Sequence, residues 1–154
     1  MNVTDEHLKS MVNSAFRYAK EMFEEFGHFY PFGLSLNSEG KMEMLGTAKV
    51  DEKHDSPEFV LMLQKRFRDE ALAGNIFAAA IGANVDIPAQ LPADYPDGIG
   101  VFLEAKGISR AYYLPYKIED NRGVPEDNGK LSISFGQPVG IAIPPAMFAD
   151  ENPA

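Results

Sequence analysis

The 154-residue chain contains no cysteine. That absence removes disulfide frameworks, thiolate metal sites and cysteine nucleophiles together, and it suits a reducing compartment. Basic residues are also scarce, with 14 Lys and Arg against 23 Asp and Glu, for a formal net charge of −9. A surface of that sign repels a phosphate backbone at long range, so no nucleic-acid partner is expected. An acidic mimic or inhibitor would carry such a charge, but so do many ordinary soluble proteins. No stretch approaches the roughly 20 uninterrupted apolar residues of a membrane span. Residues 1–6 are polar and acidic where a secretory signal would carry a basic start and an apolar run. The expected location is the cytoplasm, with no membrane contact.

Motifs that carry chemistry are equally sparse. There is no GxxxxGK[ST] phosphate loop. "GIGVFL", at residues 98–103, has two glycines of a dinucleotide fingerprint but leads into a strand rather than a helix. Neither Ser35, Ser109 nor Ser134 sits in a GxSxG elbow. The three histidines, His7, His28 and His54, fall on a helix face, a strand start and a loop, where solvated or capping roles outweigh catalytic ones. Asp51, Glu52, His54 and Asp55 offer metal ligands without a ligand spacing, and a polar connection into a helix needs such residues anyway. The acidic loop with Glu119, Asp120, Asn121, Glu126, Asp127 and Asn128 fails the calcium-loop register. No catalytic residue, metal or cofactor is therefore expected.

What is present is the composition of a folded domain, 45% hydrophobic and 24% charged. A chain of this length can bury roughly 70% of its unfolded surface in one domain. That domain is expected over residues 1–150, with 151–154 as a frayed end. Thr4 reads as an N-cap, and Leu8, Met11, Val12, Ala15, Phe16, Ala19, Met22, Phe23 and Phe26 then recur at helical spacing until Gly27. The spacing predicts a helix over residues 5–26.

"FYPFGLSLNSEGKMEM", residues 29–44, reads as a hairpin. Tyr30, Phe32, Leu34 and Leu36 are expected on one face and Phe29, Pro31, Gly33 and Ser35 on the other, with Met42, Met44, Ala48 and Val50 on the returning strand. Ser56 and Pro57 open a second helix to about residue 73, with Val60, Leu63, Phe67 and Ala71 on its apolar face. "NIFAAAIGANVDI" is apolar on both alternating sets, as in a central strand, and Ala78, Ala80 and Gly82 would be its close-approach face. "GIGVFLEAKGISRAYYLPYKI" forms a second hairpin turning at Lys106 and Gly107. Leu131, Ile133 and Phe135 make the last strand before an apolar tail.

The expected fold is α+β: a single antiparallel sheet of five or six strands and two main helices, in the order α-β-β-α-β-β-β(-β), with a short C-terminal element. The economical arrangement puts both helices on one face. This order resembles the roadblock, longin and profilin-like folds. The string "GHFYPFGLSLNSEGKM", with a long helix before it and another helix after it, resembles a pattern in small uncharacterised bacterial α+β proteins. That resemblance implies a bacterial α+β domain and lends no site residues.

Two strands place a proline among aromatics, "FYPF" at residues 29–32 and "YYLPY" at 112–116. If they were neighbours, Tyr30, Phe32, Tyr112 and Tyr116 would form one aromatic surface bordered by Arg110, in the style of a partner site. Against this, a ring stabilises by roughly 1.5 to 3 kcal/mol when buried, which favours the core. Phe29 and Tyr113, off that face, are the better surface candidates, along with the tail around Val139, Ile141, Ile143 and Phe148. The leading reading is a non-enzymatic protein-binding domain of the immunity, chaperone or adaptor type. A small-molecule or enzymatic pocket between helix and sheet, using His28, Tyr30 and Arg110, is the alternative. A homodimer through a sheet edge or the tail is a third.

Overall fold

A computed structural model of the protein describes residues 2–46, 56–119 and 132–148. Helix α1 (Asp5–Phe26) starts in a reciprocal box: the Thr4 hydroxyl accepts the His7 N–H, and His7 Nδ1 accepts the Thr4 N–H. Histidine thus takes the place usually held by Glu or Gln in such a cap. Gly27, at φ 76°, ends the helix and donates its N–H to the Phe23 carbonyl. Leu8, Met11, Ala15, Ala19 and Phe23 form its buried stripe.

The strands are β1 (Phe32–Asn37), β2 (Met42–Gly46), β3 (Ile76–Asp86), β4 (Asp97–Ala105), β5 (Ile108–Glu119), β6 (Ser132–Phe135) and β7 (Val139–Ala142), with α2 (Ser56–Leu72) between β2 and β3. They form one antiparallel sheet in the order β2-β1-β3-β4-β5-β6, and β7 also pairs with β5. The α+β class and element order are those expected, with β7 drawn from the apolar tail as one strand more. The β4–β5 hairpin turns at Lys106 and Gly107 as read, with Gly107 at φ 78°. The cluster at residues 51–55, Ala48 and Val50, the loop from residue 120 to 131 and the expected frayed end lie outside the described residues.

The helices do not share a face, which corrects the one-face expectation. α1 packs over Leu34, Leu36, Ala78, Ala80, Ile99, Val101 and Leu103, whereas α2 sets Leu63 and Phe67 against Ala79 and Ile81. Ala78 and Ala80 alternate with Ala79 and Ile81 along β3, and side chains alternate across a strand, so the two helices lie on opposite sides. The cause is visible in β3 itself: a strand apolar on both sets needs cover on both sides. Gly33 permits the α2 approach, because a Cβ there would stand 2.4 Å from the Phe67 ring.

Two irregular segments complete the α2 side. The loop between β3 and β4 lays Ile87, Leu91 and Ala93 over Ala111 and Tyr113. After β7 the chain crosses to bring Met147 beside Phe67 and Ile81. It is held there by Glu104, a carboxylate only 2% exposed on central strand β4. Glu104 Oε1 accepts the backbone N–H groups of Ala146, Met147 and Phe148 at 2.9, 2.8 and 3.0 Å. Three converging N–H donors satisfy a buried charge that would otherwise be costly. Asp94 acts similarly from the loop, accepting the Gln137 N–H at 2.9 Å between β6 and β7.

Candidate binding groove

On the α1 side the register lays out rows across the sheet. Leu34, Ala80, Leu103, Arg110 and Ala142 are successive cross-strand partners, as are Phe32, Gly82, Val101, Tyr112 and Gly140. Each row is apolar under the helix and changes character at Arg110 and Tyr112 of β5, which α1 does not cover. β7 adds only Gly140 and Ala142 to this face, both exposed, so the sheet ends there as a low shelf. Tyr112 uses the missing side chain: a Cβ on Gly140 would meet its ring at 3.0 Å.

A trough of about 450 Å³ runs between α1 and this shelf. Leu8, Val12, Leu103, Ile108 and Tyr112 line its apolar part; Asp5, Lys9 and Asn13 edge it from the helix, and Arg110 from the sheet. The Arg110 guanidinium stands 5.9 Å from the Tyr112 ring centre. Asn13 also borders a second hollow of about 500 Å³, where Phe16, Leu114 and Pro138 stand with two cations, Arg17 and Lys20, and two acids, Glu21 and Glu24. Lys20 lies there with its ammonium 5.0 Å from the Phe135 ring centre. From Asp5 to Glu24 the helix rises about 28 Å. Among the described residues, neither Lys9 nor Arg110 is ion-paired.

The residues singled out from sequence do not converge. Phe29 was expected on an exposed face but is only 6% exposed, its ring 5.1 Å from Phe23 and 5.9 Å from Phe32 beneath α1. β1 begins at Phe32, so strand alternation does not extend back through residues 29–31. Tyr113, the other proposed surface residue, is 7% exposed. No helix covers it, but the β3–β4 loop and Val139 and Ile141 of β7 do. Tyr30 is exposed on the other side of the molecule from Arg110, its ring facing Phe59 of α2 and His28. Phe148 belongs to the segment held by Glu104, and Ile143 packs beside the Tyr113 cluster. Of the residues singled out from sequence, Arg110 and Tyr112 lie in the groove. The two aromatic strands are not neighbours either, since β3 and β4 separate β1 from β5.

Sequence reasoning missed Lys9, Asn13 and Glu104. Lys9 and Asn13 are four residues apart beside the apolar stripe, a signal without meaning until β5 stands opposite. Glu104 was detectable as the lone acid within the apolar run of β4.

Two tyrosines have perturbed acidity. Burial pushes Tyr113 above the ordinary value of 10.0. Burial also raises Tyr116, and nearby Asp97 and Asp86 add to the rise; its hydroxyl donates a hydrogen bond to Asn84 Oδ1 at 2.6 Å, which favours the neutral phenol as well. Both phenols are held neutral as packing groups. Among the described residues no three His, Asp or Glu side chains gather as a metal site. A smaller hollow of about 350 Å³ on the α2 side, beside Ile143, Pro145 and Phe148, includes Ser109. The Ser109 hydroxyl is buried and makes no hydrogen bond among the described residues. None of the described helices is long and apolar enough to cross a membrane. No protein-family model, curated protein or solved structure matches the chain.

Proposed function

We propose that this chain is a non-enzymatic protein-binding domain, acting in the cytoplasm, that takes a segment of a partner protein along the groove between α1 and β5. The observation that carries the reading is the shape of the α1 side. Helix cover stops short of Ile108, Arg110 and Tyr112 on β5, and two hollows that share Asn13 lie end to end beside α1 between Asp5 and Glu24. Together the two hollows flank about 28 Å of the helix, which matches roughly eight residues of extended chain and exceeds most compact small molecules. The pocket reading loses two of its three polar groups, since His28 and Tyr30 lie beside α2 and only Arg110 remains.

The test is selection of binders from a displayed library of random peptides, followed by their titration against the protein and against Asn13→Trp. Asn13 is exposed and stands where the two hollows meet, so an indole there obstructs the trough without entering the core. Selected peptides are expected to lose at least tenfold in affinity for the variant while its circular dichroism stays unchanged. Selection that yields no binder, or binders indifferent to Asn13→Trp, overturns the reading.

A further inference from the structure

We infer that the occupant of this groove is an acidic, apolar peptide segment bound extended, with one carboxylate held between Lys9 and Arg110. The inference rests on the groove reading above and adds the chemistry of the partner.

Charge placement is the first argument. The protein carries a net charge of −9, yet the two cations on opposite sides of the first hollow, Lys9 on the helix and Arg110 on the sheet, have no carboxylate partner among the described residues. Asp5 is the single acid lining that hollow. Cations facing each other across an apolar floor repel when it is empty, and a carboxylate between them relieves this while gaining charge-assisted hydrogen bonds. The guanidinium, beside the Tyr112 ring, presents a planar fork suited to a carboxylate.

The second argument is the floor. Leu8, Val12, Ile108 and the Tyr112 ring offer apolar surface directly beside the cations, so a segment alternating acidic and apolar side chains satisfies both. Gly140 and Ala142 leave the outer side low enough for a continuous chain to lie along the trough. The third argument is spacing. Lys20 follows Lys9 by about 16 Å along the helix, between the spans of four and of six extended residues, whose side chains point to one side. Lys20 now rests on Phe135 and can turn to a second carboxylate about that far along the peptide.

Fluorescence anisotropy with labelled synthetic peptides of about ten residues, long enough for the trough, tests this. The peptides alternate Leu or Val with Ser and carry Glu, Gln or Lys at the same two Ser positions, four or six residues apart so that both point to the same side. The Glu peptide is expected to bind at least tenfold more tightly than the Gln peptide, and the Lys peptide least. The Glu preference should shrink in Arg110→Gln and in Lys9→Gln and weaken with added salt, since screening reduces exposed charge pairs. Equal binding of the Glu and Gln peptides, or tightest binding of the Lys peptide, overturns the charge assignment and leaves the groove reading standing. If the peptides selected for the groove test also ignore Asn13→Trp, the groove reading itself falls. Sedimentation supplies the remaining arm: a concentration-dependent dimer abolished by Arg110→Gln would assign the groove to a second copy of this chain and overturn the inference.

Discussion

The two sides of the sheet face the same problem and resolve it differently. On each, one helix covers the central strands and leaves part of β5 uncovered: Arg110 and Tyr112 on the α1 side, Ala111 and Tyr113 on the α2 side. On the α2 side the uncovered surface is closed by the β3–β4 loop and the segment after β7, each tied by a carboxylate to backbone N–H groups. On the α1 side no described segment closes it, and the row that is apolar beneath the helix changes at β5 to Arg110. The difference teaches that an uncovered strip needs either a strap or side chains that tolerate water. Arg110 and Tyr112, each with an apolar body and a polar end, are of the second kind.

Substitutions can break this contrast. The largest effect is expected for Glu104→Ala, which leaves three N–H groups without their acceptor and a hollow beside Met147. Urea denaturation should show a loss of about 3 to 5 kcal/mol, by analogy with a broken buried charge interaction. Cleavage by an added protease near residues 146–148 should accelerate. A loss below about 1 kcal/mol would mean that the strap is not held by this carboxylate.

Gly33→Ala sharpens the contrast from the helical part of the α2 side. The new methyl group meets the Phe67 ring and should cost about 1 to 3 kcal/mol of stability. Equal stability would show that α2 can shift without penalty.

Tyr116→Phe, beneath the C-terminal half of α1, removes the hydrogen bond to Asn84 and should cost about 1 kcal/mol near neutral pH. The pH dependence has a definite sign. Tyr116 is raised in the folded state, so its stabilising contribution is complete below the unfolded value near 10 and is lost as pH rises through the higher folded value. Alkaline denaturation followed by far-ultraviolet circular dichroism should therefore be steeper for the parent protein than for the variant. Parallel curves would contradict that assignment.

The smallest effect is expected for Arg110→Gln. An exposed residue without an ion pair should change stability by less than about 0.5 kcal/mol. A larger loss by thermal melting would make Arg110 a structural residue and erase the difference between the two sides.

Much of the fold was legible because its signals are local. Thr4 and Gly27 bracket α1, the apolar residues between them repeat at helical spacing, and Gly107 marks the β4–β5 turn. The errors arose where a local pattern was extended past its element or a distant segment supplied the cover. Alternation does not run back through Pro31, so Phe29 turns beneath α1, and Tyr113 is covered by the β3–β4 loop and β7 rather than by a helix. The groove was half legible: Ile108, Arg110 and Tyr112 share a strand face by alternation, whereas Lys9 and Asn13 join them only through packing.

The sequence by itself determined the helices, most of the strands, the α+β class and the acidity, because each depends on residues near one another in the chain. Only the tertiary structure decided which side each helix covers, that Glu104 anchors a strap about forty residues away, and that Lys9 stands across from Arg110. Those outcomes depend on long-range packing: side chains that a linear pattern cannot pair meet only when sheet order and register bring their strands and helices together.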